Sequence, residues 1–165
     1  MKNLCSTISI VVFLFICSNR IQAQTSQKQL NQVELMKQYI GSWKADLSKD
    51  TTLLFNYKSF GTGLECNYKI VIKGVETEGK QLLGYDKGID KFLVSVMTKG
   101  TDMKLYGNWF ISKNKYVLVL YSDISSPVKA SYRADGDFKS LDLFIETHSI
   151  NGKLLKTITY KRVKE

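Results

Sequence analysis

The sequence predicts an all-β chain: a closed, antiparallel, up-and-down barrel of about ten strands behind one short N-terminal α-helix. Three observations lead there. Apolar and polar residues alternate with a period of two from Trp43 almost to the C-terminus. Glycine, asparagine and aspartate, the residues that tolerate the positive φ of tight hairpins, separate the runs. Every connection is too short for a crossover helix, so neighbours pair antiparallel in sequence order. A twisted meander of that length curls, and pairing its first strand with its last removes both exposed edges.

Leu30, Val33, Met36, Tyr39 and Ile40 recur at helical spacing, which predicts a helix over about 28–40 that Gly41 terminates. Strands are then predicted at 43–47, 52–60, 64–72, 81–85, 92–97, 103–111, 116–122, 128–134, 138–147 and 154–163, a barrel spanning about 43–163. The separators are Lys73-Gly74, Glu78-Gly79, Asp86-Lys87-Gly88, Lys99-Gly100, Lys113-Asn114, Asp135-Gly136-Asp137 and Asn151-Gly152. Gly61-Thr62-Gly63 lacks the third glycine of a phosphate loop and precedes a strand, so it reads as another turn.

Ahead of the helix, Lys2, the apolar run from Ile8 to Ile16 and the small residue Ala23 have the pattern of a signal peptide over 1–23. The run is too short for a membrane span. Bulky Phe15 and Ile16 before Cys17 argue against a lipoprotein anchor, so the expected product is an exported, periplasmic or extracellular domain over 24–165 without a stable membrane anchor. Cys5 and Cys17 leave with the leader, and Cys66 has no disulfide partner within the remaining chain. It reads as a small buried hydrophobe rather than a nucleophile. The chain carries 24 basic and 15 acidic residues, but all except three of the basic ones are lysines scattered singly along the strands. That is a solvated exterior blunting strand edges, and it argues against nucleic acid as a partner.

Closure suggests a specific contact. Gly41-Ser42-Trp43 opens the first strand and Arg162 lies on the last, so Trp43 is placed to plug one end with the Arg162 guanidinium over its ring. Alternation nominates a cavity wall: Leu53, Phe55 and Tyr57; Met103, Leu105 and Trp109 with Gly107 making room; Val117, Val119 and Tyr121; Val128, Ala130 and Tyr132. Tyr85 and Arg133 complete the candidates, Arg133 to hold an anionic group if strand twist turns it inward. No catalytic motif occurs. Asp142 and Glu146 share a face with His148, but Leu141, Leu143 and Ile145 take the other, so the carboxylates are expected to face water. One histidine and one exported cysteine do not make a zinc site.

The Gly-x-Trp of Gly41 to Trp43 after a short helix, with a basic residue on the final strand, resembles the lipocalin-like, or calycin, barrels. Gly84-Tyr85-Asp86, Lys91-Phe92, Gly100, Gly107, Ser131-Tyr132-Arg133 and Thr159-Tyr160-Lys161-Arg162 resemble, in order, a bacterial lipocalin-like domain family of unknown function, over about 35–163. That resemblance implies the barrel and little chemistry. The related nitrobindins bind haem through a histidine on the last strand; here Leu155 stands near that position, and the sole histidine is His148, so haem is disfavoured and no cofactor is expected. The resulting expectation is a binding protein for a small hydrophobic or amphipathic molecule. The alternative is an envelope interaction module with a filled barrel and no small ligand, its protein partner unknown; an enzyme would need a carboxylate or Arg133 projecting inward beside Tyr85 or Tyr132.

Overall fold

The structure, a computed structural model, describes residues 30–164. The leader, its cleavage after Ala23 and the rejected anchor at Cys17 lie outside the described residues. Ten strands follow one helix: α1 (Gln32–Met36), β1 (Gly41–Ser48), β2 (Thr51–Phe60), β3 (Gly63–Ile72), β4 (Val75–Asp86), β5 (Lys91–Thr98), β6 (Lys104–Phe110), β7 (Lys115–Leu120), β8 (Tyr132–Ser140), β9 (Leu143–Ile150) and β10 (Lys153–Val163). Every strand pairs antiparallel with its sequence neighbours, and β1 pairs with β10, so the sheet is a closed barrel.

The helix is shorter than its periodicity predicts. Asn31 caps it by accepting from the Glu34 backbone N–H at 3.2 Å, and after Met36 the chain tightens into a 3-10 turn over Lys37–Tyr39. This places Met36 and Tyr39 in the barrel mouth as a plug. The buried Gln32 side chain acts as a surrogate strand partner, donating to Phe110 O at 3.0 Å and accepting from Phe110 N at 2.7 Å. Above this plug the Tyr39 ring meets Tyr57, Tyr116, Phe138 and Phe144 with centroids 5.2–5.8 Å apart. Such pairs add about 0.5–1.5 kcal/mol each beyond simple burial. Cys66, on β3, is fully buried, and burial pushes its thiol up to about 12.

The seam is narrow: Ser42↔Val163, Trp43↔Arg162 and Lys44↔Lys161 are its register pairs. Arg162 reinforces it. The guanidinium lies 4.2 Å from the centroid of the Trp43 ring, while its N–H groups donate to Leu141 O at 2.8 Å, to Gln38 O at 3.3 Å and to Ile40 O. The Trp43 indole N–H donates to Tyr39 O at 2.7 Å, tying the plug to the same strand. Gly41 is not the helix terminator the sequence suggests. It is the first residue of β1, with φ of +120°, and a Cβ there would stand 2.3 Å from Arg162 Nη1. The glycine leaves the channel through which the arginine reaches its carbonyls.

Two predicted turns are strand interiors. Glu78-Gly79 lies within β4 and Asp135-Gly136-Asp137 within β8. Each glycine is roofed by a tyrosine ring: a Cβ at Gly79 would stand 2.2 Å from Tyr68 Cζ, and one at Gly136 would stand 1.9 Å from Tyr116 Cζ. Their signal is close approach rather than chain reversal. The predicted strand 128–134 is in part an excursion, with 3-10 turns at Tyr121–Asp123 and Pro127–Lys129, before β8 begins at Tyr132. The predicted strand 138–147 is broken by a turn at Leu141 and Asp142.

Replacing Arg162 with alanine removes a stacked cation and charge-assisted hydrogen bonds, and is expected to destabilise the barrel by about 2–4 kcal/mol. Gly41→Ala is expected to cost about 1–3 kcal/mol through overpacking and backbone strain. Urea unfolding checks both, and a loss under about 0.5 kcal/mol for Arg162→Ala would remove the seam argument.

Candidate functional site in the barrel interior

The turn at Leu141 and Asp142 sets the phase of β9, and that phase sends Phe144, Glu146 and His148 into the lumen. The expected face is therefore inverted. Leu141 is exposed, Ile145 and Thr147 lie on the outer side, and Asp142 sits in the turn, 3.3 Å from Arg162 Nε. The apolar residues suggest the wrong face because Leu143 and Ile145 lie on the outer side of the strand and Leu141 belongs to the turn.

Inside, the polar groups form a chain. Tyr116 donates to Glu146 Oε1 at 2.5 Å, and Tyr132 Oη lies 2.7 Å from His148 Nδ1. His148 Nε2 stands 3.2 Å from Glu146 Oε2 but off the line of a hydrogen bond, so the proximity is electrostatic and the nitrogen has no hydrogen-bond partner. The orphan nitrogen follows from that misalignment. Register explains the convergence: Glu146 pairs with Gly136, whose missing side chain lets the Tyr116 ring lie over it and reach the carboxylate, and His148 pairs with Ala134, a small residue on the cavity wall.

Burial alone opposes ionisation of Glu146. The electrostatic pull of the adjoining His148, with hydrogen bonds from Tyr116 and Tyr160, outweighs it and holds the carboxyl below its ordinary value of 4.5. The phenols of Tyr39, Tyr116, Tyr132 and Tyr160 move the other way, pushed up by burial and then by the neighbouring Glu146 charge. At neutral pH the carboxylate is an acceptor ringed by hydroxyl donors.

These side chains border a cavity of about 190 Å³. Its polar side is formed by Glu146, His148, Asn108 and Gln81 with the tyrosine hydroxyls. The apolar side is formed by Leu83, Val94, Val96, Leu118 and Ala134. Asn108 is buried, and its Oδ1 has no hydrogen-bond partner. The Tyr57 hydroxyl donates to Gln81 Oε1 at 3.2 Å.

Of the predicted lining, Phe55, Tyr57 and Tyr132 border this cavity. On β6 the facing is reversed: Tyr106, Asn108 and Phe110 point inward, whereas Trp109 lies outside beneath the Lys91 ammonium, 4.8 Å from its ring centroid. Leu105 is half-buried on that outer face, and Met103 is exposed just before the strand. On β7 the inward residues are Tyr116 and Leu118; Val117 and Val119 pack outside with Ala130 and Trp109. Tyr121 and Val128 are exposed on the excursion. The reason is physical: the segment between β7 and β8 covers the outer face, with Ile124 pressed where a Gly107 Cβ would stand, 2.4 Å away. Both faces are therefore apolar, and alternation loses its sign.

Arg133 faces outward, donating to both Asp135 carboxylate oxygens and to Pro127 O, which pins the excursion. Tyr85 packs at a tilt against Phe92 and donates to Asp90 Oδ1 at 2.7 Å, and it does not border the cavity. Leu155 on β10 is exposed. Among the described residues no group of three or more His, Cys, Asp or Glu side chains is placed to hold a metal, and no helix is long and apolar enough to cross a membrane. Glu146 and His148, expected to face water, face the lumen, and Asn108 joins them without a sequence expectation; the available signal is a glutamate and the sole histidine two residues apart on a strand whose two neighbours each carry a tyrosine. A scan against protein-family models found no match, and a search of curated proteins found no relative.

Because the folded carboxyl titrates below its unfolded counterpart, the contribution of Glu146 is complete above about pH 4.5 and is lost as pH falls through the lower folded value. The stability difference between wild type and Glu146→Gln is expected to shrink from pH 7 to pH 3. Denaturant titrations across that range check it, and a difference that grows on acidification contradicts the assigned charge state.

Proposed function

We propose that this chain is an exported, lipocalin-like barrel that binds a small amphipathic molecule in its interior. The observation that carries the reading is the division of one cavity into an aliphatic wall and a polar wall, with two buried polar atoms, Asn108 Oδ1 and His148 Nε2, lacking partners. Buried polar atoms without partners are costly in a filled core, and a ligand that meets them recovers that cost. A cavity of about 150 Å³ accepts benzene, so this one suits a single ring or a short branched chain with a polar head. The resemblance at Gly41, Trp43 and Arg162 to lipocalin-like barrels supports the same reading, and the signal-like pattern over 1–23 supports export. Acid–base catalysis is a second reading, since Glu146 does project inward near Tyr132. A carboxylate held ionised by several donors is a weak base, which favours binding over proton abstraction.

Native mass spectrometry, before and after denaturing extraction, is expected to show a small molecule that leaves on unfolding. Ala134→Leu, which fills the cavity and leaves every polar side chain of its wall in the sequence, is expected to abolish retention while circular dichroism still reports the barrel. Equal retention by the variant would place any ligand elsewhere. A protein that holds nothing and shows no melting shift with any amphipathic compound tested would sink the reading.

A further inference from the structure

We propose that the occupant of the barrel cavity is a small organic amine in its protonated form, its ammonium seated among Glu146, Asn108 and the tyrosine rings. The inference rests on reading the cavity as a binding site. Its first support is charge. Glu146 is a buried carboxylate, and no lysine or arginine borders the cavity among the described residues, although basic residues predominate in the chain. The basic residues nearest in chemistry, Arg133 and Arg162, are engaged outside the lumen with Asp135 and with the seam carbonyls. An anionic ligand would meet Glu146 with no compensating cation other than His148. A cationic head supplies the missing partner.

The second support is the hydrogen-bond inventory. An ammonium carries three donors and no acceptor. The cavity offers Glu146 Oε2 and the unpartnered Asn108 Oδ1; the rest of the Asn108 side chain is engaged by the Tyr39 hydroxyl. A neutral alcohol, with one donor, satisfies one of these two acceptors and leaves the other buried and unmet.

Aromatic surface is the third support. Tyr57, Tyr132, Phe144 and Tyr160 border the same space, and π-faces attract a desolvated ammonium. Opposite them, Leu83, Val94 and Leu118 offer an aliphatic bed for the rest of the molecule. Scaling from the benzene-sized cavity gives room for roughly six to ten non-hydrogen atoms.

Three probes of one shape test this by calorimetry at neutral pH on the unaltered protein: 2-phenylethylamine, 2-phenylethanol and phenylacetate. The amine is expected to bind about tenfold or more tightly than the alcohol, with phenylacetate weakest. Glu146→Gln is expected to bring amine and alcohol to within about twofold of each other, circular dichroism confirming that the variant is folded; the comparison on the unaltered protein stands without it. Alcohol or carboxylate binding as tightly as the amine, and blocked by Ala134→Leu, overturns the amine while leaving the cavity reading intact. Binding of none of the three overturns the amine, and if native mass spectrometry also finds the barrel empty, the cavity reading falls with it.

Discussion

The contact between Arg162 and the β1 strand is the constraint on which the rest of this barrel depends. A sheet of ten strands closes only if its terminal strands meet, and here they meet over three register pairs, fewer than at the hairpin junctions. Backbone pairing that brief is weak on its own. The guanidinium compensates by stacking on Trp43 and by donating to carbonyls on both sides of the junction, from Gln38 and Ile40 before β1 and from Leu141 before β9. One side chain thus fastens the plug, the first strand and the turn that phases the ninth. Gly41 is what permits it.

Closure has a chemical result, because it decides which face of each strand is shielded from water. Glu146 on an open sheet would be a solvated carboxylate. In the closed barrel it is surrounded by Tyr116, Tyr132, Tyr160 and His148, each arriving from a different strand or register level, and burial makes every one of those contacts stronger than it would be in water. Gly136 makes room for the Tyr116 ring that reaches the carboxylate, and the small Ala134 leaves the cavity wall beside His148 open. Rigid aromatic packing around Tyr39 below and aliphatic side chains on the far wall hold a polar group where a simple core would be apolar.

Much of this is legible in the sequence. Strand number, antiparallel order, closure and the pairing of Trp43 with Arg162 followed from alternation, turn residues and edge avoidance. Phe55 and Tyr57 were readable because β2 has one apolar face and one polar face. Trp109, Val117 and Val119 were not, since the segment covering them makes the outer face apolar as well, and a period of two then fixes spacing without direction. Glu146 and His148 are hidden for a related reason: Leu143 and Ile145 make the outer face of β9 apolar as well, and Leu141, which seems to extend that row, belongs to the turn. Gly79 and Gly136 misled in the opposite sense, being glycines demanded by overlying rings.

Cys66 carries a separate implication. It is the single described cysteine, sunk in β3 beneath the aromatic core, with a thiol that stays protonated in the folded molecule. Only a barrel that has come apart exposes it as an ordinary nucleophile. The molecule therefore holds a concealed chemical clock: alkylation of this one sulfur counts opening events of the whole enclosure, and slows in proportion to anything that keeps the lumen shut.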